Sequence, residues 1–215
     1  MIQRIVALGN GMLSLFAHGG PVMWAILAVS VGAATVAIER AIFFARLRGD
    51  RRTGDAFRVA CASGDFARAE TACAGFRGPA GGALREALAA RGWGLPAVED
   101  AFNSELERAR ESLERHLGGL SVAARGAPLL GLLGTVTGMM RAFMRVEAAG
   151  GEVEVAALAG GIWEALLTTA FGLVVAVPAL FAWHYFRAAA EWYLRMMRDA
   201  GERLVASSRK AGDAP

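Results

Sequence analysis

The chain has 215 residues, a formal net charge of +3 and a sequence pI near 9.4, and 55% of its residues are hydrophobic. The apolar residues are concentrated in three long stretches, which is typical of an integral membrane protein and argues against a soluble enzyme. The basic residues do not form the patch that nucleic-acid binding requires, so the sequence predicts no nucleic-acid partner.

The three apolar stretches predict three membrane-spanning helices, over residues 21–45, 126–144 and 156–186. Each is long enough, or nearly so, to cross an apolar core of roughly 30 Å at about 1.5 Å per residue. Thirteen of the 23 Lys and Arg residues lie between Arg46 and Arg125 and six between Arg187 and Lys210. The positive-inside rule therefore places residues 46–125 and 187–215 in the cytoplasm, and residues 1–20 and the link 145–155 outside.

Both flanks of the first span carry recognisable features. Residues 1–20 have a helical stripe of apolar residues and predict an amphipathic segment at the periplasmic surface of the membrane that the chain spans. Near the other end, Glu39 and Arg40 interrupt the apolar run. We expect an internal ion pair there, with the arginine head reaching the headgroups, rather than a proton relay.

Within the cytoplasmic helical region 46–125, residues 50–94 alternate short helix-forming pieces with glycines and predict a small bundle of short helices. It contains no phosphate-binding loop, no zinc-protease motif and no arrangement of nucleophile and base. The sequence therefore predicts no enzyme activity, no cofactor and no metal. Cys61 and Cys73 have no neighbour at metal-ligand spacing, which favours buried free thiols.

From Pro96 onward the apolar spacing becomes regularly helical, and we expect one unbroken helix from Pro96 to Ala142, about 70 Å long at 1.5 Å per residue. The third span likewise continues past residue 186. The prediction is an all-α membrane protein in which two of three spans extend into the cytoplasm, with a small helical insertion between them.

The second and third spans contain polar residues that a simple anchor does not need. Their glycines predict close helix packing of the small-xxx-small kind: Gly131, Gly134, Gly138 and Gly172. Their hydroxyl and acidic side chains are candidates for a pore lining: Thr135, Thr137, Thr168, Thr169 and Glu164. An isolated Thr in a span commonly returns its hydroxyl to the preceding helical turn, so a purely local role is the alternative for each threonine.

Glu164 is the most informative of these residues because an ionised carboxylate inside a span costs several kcal/mol unless it is paired or hydrated. Two arrangements remain open: a carboxylate that faces a pore, which we favour, and a carboxylate paired with Arg141 or Arg145. A polar helix face enclosed by three helices alone would leave a void, so we expect self-association into a ring. Hydroxyls do not titrate near neutral pH, so a complete proton path needs another titratable group, most simply one delivered by another chain.

Two segments carry a family resemblance: APLLGLLGTVTGMMRAF from Ala127 and GGIWEALLTTAFGLVVAVPAL from Gly160. Together they resemble the paired signature of the MotA/TolQ/ExbB proton-channel superfamily. GPVMW at the start of the first span and ER near its end are similar to the ExbB and TolQ branch. The resemblance extends over essentially the whole chain.

The resemblance implies a pentameric ring in the bacterial inner membrane, around a dimer of single-span ExbD- or TolR-like partners that each bring an intramembrane Asp. It implies that proton flow energises an envelope-spanning protein of the TonB or TolA type. Thr135 and Thr169 match the family's pore threonines and Glu164 its pore glutamate. Thr137 and Thr168 stand where many relatives carry Trp and Ala. Arg125 departs from the small residue expected there and marks the cytoplasmic boundary of the second span or a pore mouth.

Two alternatives come from other functional classes. A MotA-like stator subunit is expected to have four spans, and a non-conducting scaffold should tolerate loss of the hydroxyls and of Glu164. The sequence does not indicate which process such a motor would energise: outer-membrane uptake, envelope constriction, gliding or another. Membrane lipids are an expected partner in every case.

Overall fold

The computed structural model describes residues 20–148 and 155–212. Within these ranges every regular element is helical and no strand is present, which confirms the predicted all-α fold. The predicted interfacial segment falls almost entirely on residues 1–19, outside the described residues. Positions 149–154 of the predicted link also lie outside the described residues.

Seven α-helices and two short 3-10 turns make up the described chain. In order they are α1 Gly20–Arg46, a turn Leu47–Gly49, α2 Asp50–Ala62, α3 Phe66–Cys73, α4 Ala80–Ala89, a turn Ala90–Trp93, α5 Leu95–Glu114, α6 Leu117–Ala148 and α7 Val155–Gly212. Three stretches that include α1, α6 and α7 are long and apolar enough to cross a membrane. The chain is therefore an all-α membrane protein with three candidate spans, as predicted.

The prediction of one unbroken helix from Pro96 to Ala142 is wrong. The helix ends at Glu114 and a new one begins at Leu117, because Arg115 is extended (φ −51°, ψ 134°) and His116 is left-handed (φ 65°). Contacts from α1 hold this break. Arg40 donates to the carbonyl of Ser112 at 3.1 Å, satisfying one of the acceptors that a helix end leaves free, and His116 Nδ1 lies 3.2 Å from a Glu39 oxygen.

The ion pair expected at the end of the first span is present, but the arginine head does not reach outward. Arg40 donates to both oxygens of Glu39, at 2.9 and 2.5 Å, and only 3% of the Arg40 residue is exposed. Its guanidinium also lies over the ring of Phe43, 4.6 Å from the centroid. Arg40 is therefore a buried structural residue rather than a snorkelling one.

The chain divides into two units. The first contains residues 20–37 and Gly118–Trp183, which include most of the membrane-spanning length. Its buried contacts involve mainly small side chains, with Val29 and Ala33 packed against Ala123, Ala124 and Ala179. Large apolar side chains of this unit point outward instead, as expected where the surroundings are lipid or other apolar helices.

The second unit contains Ile38–Leu117 and residues 184–212 of the described chain, and it has a core of large side chains such as Phe57, Leu84 and Leu113. Cys61 and Cys73 are buried free thiols in this core, as predicted. Burial raises the pKa of each thiol to about 11. The second unit is thus an ordinary close-packed helical core.

A buried carboxylate links three segments of the second unit. Asp50 is fully buried and accepts hydrogen bonds from the backbone N–H groups of Arg77 and Gly78, both at 2.9 Å, and from the hydroxyl of Tyr193 at 2.5 Å. Burial and this hydrogen bond raise the pKa of the Tyr193 phenol well above its ordinary range. The charge of Asp50 is thereby met by three donors, as a buried carboxylate requires.

Candidate functional site: the α6–α7 helix pair

The site is built on the close contact between α6 and α7, which small residues permit. A Cβ at Gly131 would lie 3.0 Å from the Cα of Thr169, and one at Gly138 would lie 3.1 Å from the Cβ of Ala165. From the other helix, a Cβ at Gly172 would lie 2.6 Å from the carbonyl oxygen of Ala127. The glycines identified in the sequence therefore stand at the helix contact, where any side chain would separate the two backbones.

Thr168 lies inside this contact. Only 1% of the residue is exposed, its side chain fills the space above Gly134, and its hydroxyl donates to the carbonyl of Glu164 at 2.8 Å. This is the local hydrogen bond that a threonine makes in an apolar helix. The burial of Thr168 argues against the pore-lining role predicted for it, and we leave Thr168 out of the proposed pathway.

Thr135 and Thr169 lie on one flank of the helix pair, which we call the hydroxyl flank. Thr169 donates across the contact to the carbonyl of Gly131 at 3.0 Å, and Thr135 donates to the carbonyl of Leu132, within its own helix, at 2.7 Å. Both residues are half-buried. Each hydroxyl still has oxygen lone pairs for a water molecule or another donor, since donation uses only its hydrogen.

Glu164 lies on the opposite flank. At 100° per residue it stands about 140° from Thr169 around α7, with the buried contact residues between them. Its Oε1 accepts a hydrogen bond of 2.9 Å from Nη2 of Arg141, and 20% of the glutamate side chain is exposed. Of the two arrangements left open by the sequence, the single chain therefore has the paired one, with Arg141 rather than Arg145 as the partner.

The start of α1 covers this ion pair. Gly20 has a positive φ of 68°, and a Cβ at that position would lie 2.8 Å from Nη2 of Arg141 and 3.2 Å from Oε1 of Glu164. Arg141 is also anchored to its own helix, where Nε donates to the carbonyl of Thr137 at 3.3 Å. The flank that holds Glu164 and Arg141, here called the charged flank, thus faces the start of α1, and the hydroxyl flank lies away from it, about 140° around α7.

The remaining candidates make local contacts. Thr137 donates to the carbonyls of Leu133 at 2.9 Å and Gly134 at 3.2 Å. The exposed Arg125 folds back along α6 and donates to the hydroxyl of Ser121 and, at 3.3 Å, to its carbonyl. Among the residues with assigned positions, no group of three or more His, Cys, Asp or Glu side chains is arranged to hold a metal ion.

Comparison with known protein families shows which family contains this helix pair. A profile described as the MotA/TolQ/ExbB proton channel family matches residues 80–199, more than half of the chain and every α6 and α7 residue of the site. The chain belongs to this proton-channel family. The family is a transport family in which members act in complexes with partner proteins, which accords with the large apolar side chains that α6 and α7 expose.

Individual relatives of this MotA/TolQ/ExbB family member belong to the ExbB and TolQ branch. A "Putative biopolymer transport protein ExbB-like 1" of Synechocystis is 35% identical over 79% of this chain and 68% of its own length. A "Biopolymer transport protein ExbB" of Xanthomonas campestris is 38% identical over 41% of this chain and 35% of its own length. The "Tol-Pal system protein TolQ" of Haemophilus influenzae is 42% identical over 39% and 36% of the two lengths.

Sequence reasoning identified the polar residues but did not distribute them between the two flanks. The 140° separation of Glu164 and Thr169 was visible in the helical spacing. The sequence alone did not show that the small residues between Glu164 and Thr169 pack against α6. Gly20 was missed as a site residue altogether, and the glycine pair before Pro21 is the only signal that marks it.

Proposed function

We propose that several copies of this chain, five by the family resemblance, form a ring in the bacterial inner membrane with the hydroxyl flanks turned toward a shared axis. The placement of Thr135 and Thr169 together on the flank turned away from α1 carries this proposal. In such a ring α1 lies at the periphery, and α6 and α7 line the centre with partly exposed hydroxyls. The amino terminus would be periplasmic and the carboxyl terminus cytoplasmic.

The exposed faces of the two helices support a ring of copies. Leu132 and Val136 on α6 are 58% and 50% exposed, and Leu166 and Leu173 on α7 are 60% and 49% exposed. Side chains of this size and number suit contact between the α6 of one copy and the α7 of the next. A repeated contact between two different surfaces closes into a ring when the rotation permits.

A partner must complete the proton path, because the hydroxyl flank has no group that titrates near neutral pH. We propose that a single-span protein of the ExbD or TolR kind occupies the axis and brings a carboxylate to the level of Thr135 and Thr169. Protonation of that carboxylate removes its charge and permits the partner to move relative to the ring. Each proton that crosses 100 mV releases about 2.3 kcal/mol for this movement.

We propose that the output of such a motor reaches an envelope-spanning protein of the TonB or TolA type, which the family resemblance implies; the relatives themselves are named for biopolymer transport and for the Tol-Pal system. Glu164 enters this proposal as the paired group at the periplasmic end, held by Arg141. For Glu164 to line a pore, its ion pair with Arg141 would have to separate in the assembly. The charged flank is therefore secondary to the hydroxyl flank in the mechanism.

The test is proton flux into vesicles that contain the complex purified with its co-purifying small subunit. Thr135→Val and Thr169→Val each remove a hydroxyl and keep the side-chain shape. Thr35→Val is the matched control, because Thr35 of α1 makes only a local hydrogen bond, of 2.8 Å, to the carbonyl of Val31. We expect at least a tenfold loss of flux in the double variant and none in the control. Flux in the double variant equal to that of the control would show that protons do not pass along the hydroxyl flank, and absence of flux in every protein, the unmodified one included, would support a non-conducting scaffold.

A further inference from the structure

An aromatic cleft lies in the second unit, between the end of α1 with its following turn and the middle of α7. Its volume is about 250 Å³, and its walls include Phe44, Arg48, Tyr185, Phe186, Trp192 and Tyr193. The rings of Phe44 and Phe186 stack with their centroids 5.7 Å apart. The hydroxyl of Tyr193 is bonded to Asp50, so that wall is held in place.

The cleft lies where two apolar segments end. The first span is predicted to end at residue 45 and the third at residue 186, and the cleft residues lie on either side of both positions. Trp192 is 40% exposed and Tyr185 is 61% exposed. Exposed Trp and Tyr side chains at the end of a span are typical of the headgroup region, where the ring contacts hydrocarbon and its polar atom contacts water.

We propose that this cleft binds an anionic phospholipid, with part of an acyl chain between the aromatic walls and the headgroup phosphate on Arg48. The apolar walls suit a hydrocarbon chain, and the guanidinium provides a fork of donors that matches phosphate oxygens. Arg48 is exposed and is one of the residues that line the cleft.

The two carboxylates close in sequence to the cleft residues, Asp50 and Glu191, have donors of their own and leave Arg48 to an external anion. Glu191, the nearest carboxylate in sequence to Trp192, accepts a hydrogen bond of 3.2 Å from Arg187 and lies 3.9 Å from Arg195. Its negative charge is thereby matched by two arginines.

Lipid binding is measured by quenching of Trp192 fluorescence. The full chain is prepared with four tryptophans replaced by phenylalanine, so that only Trp192 fluoresces: Trp24→Phe, Trp93→Phe, Trp163→Phe and Trp183→Phe. Vesicles of phosphatidylcholine then contain either brominated phosphatidylglycerol or brominated phosphatidylcholine at equal mole fraction. We expect brominated phosphatidylglycerol to be preferred about fivefold. Arg48→Gln should reduce this ratio to about one. Arg51→Gln, an exposed arginine outside the cleft, is the charge-matched control and should retain the ratio.

Three outcomes would overturn the proposal. An unchanged ratio in R48Q would show that Arg48 holds no headgroup, and an equal loss in R51Q would show only general surface attraction. Absence of quenching by either brominated lipid would show that another protein chain covers the cleft. If the four-Phe variant does not fold, native mass spectrometry of lipid retained by the otherwise unmodified chain, R48Q and R51Q gives the same comparison.

Discussion

Arg141 on α6 donates a hydrogen bond of 2.9 Å to Glu164 on α7, and the backbone of Gly20 at the start of α1 covers the pair. One ion pair thus joins α6 to α7, and the start of α1 lies against it. Both partners keep some exposure, 41% for Arg141 and 20% for Glu164, so the pair is not sealed from its surroundings. Its structural role is separable from that of the hydroxyl flank.

Loss of one partner should destabilise the protein more than loss of both. We expect Arg141→Ala to lower the melting temperature of the detergent-solubilised protein, because Glu164 is left without its counter-charge. The double variant with Glu164→Ala should recover part of that loss, with a coupling energy on the order of 1 kcal/mol for a partly exposed pair. Strict additivity of the two single variants would contradict a direct interaction.

The glycines at the helix contact make a steric prediction. Gly134→Ala places a methyl group against the side chain of Thr168, and we expect a clear loss of thermal stability and of assembly. Gly160→Ala on α7 is the matched control, because a Cβ there meets no atom within 4 Å. Thermal unfolding followed by circular dichroism distinguishes the two. A gain of stability from both substitutions would mean that the higher helix propensity of Ala, not the contact with Thr168, decides.

The break between α5 and α6 predicts opposite effects of glycine at two adjacent positions. His116 has a left-handed φ of 65°, which glycine adopts without strain, so His116→Gly should raise stability by up to about 1 kcal/mol. Arg115 has φ −51°, and Arg115→Gly should lower stability by roughly 0.5–1 kcal/mol. Chemical denaturation measures both, and a lower stability of H116G would contradict the left-handed assignment or indicate that the contact with Glu39 matters more.

Stability should fall at alkaline pH because of groups buried in the second unit. Burial raises the pKa of Cys61 and Cys73 to about 11, from an ordinary value of 9.0. The unfolded chain therefore loses these protons first, and the stabilising contribution, complete below pH 9, is lost as pH rises toward 11. Melting temperatures between pH 8 and 11 test this. A Cys61→Ala, Cys73→Ala variant should show a shallower decline, and an identical slope would assign the effect to other groups such as Tyr193.

How far the sequence determined the structure can be judged from particular residues. The three spans and the long α7 were predictable because apolar length and helical spacing are local properties of the chain. The break at His116 was not, because it depends on Arg40, whose contact with Ser112 joins residues 72 positions apart. The burial of Thr168 beside the half-exposed Thr169 was also hidden, because a one-residue difference changes the helix face and only the partner helix reveals which face is covered.

In the proposed ring the hydroxyl flanks of several copies face one axis while α1 lies at the periphery. Spin labels on cysteines at Thr135, or at Thr35 as the comparison site, in a chain whose two native cysteines are replaced by alanine, measure distances between copies in the assembled complex. We predict shorter distances at position 135 than at position 35. Longer distances at position 135, or no dipolar coupling between copies at either position, would rule out this arrangement of copies.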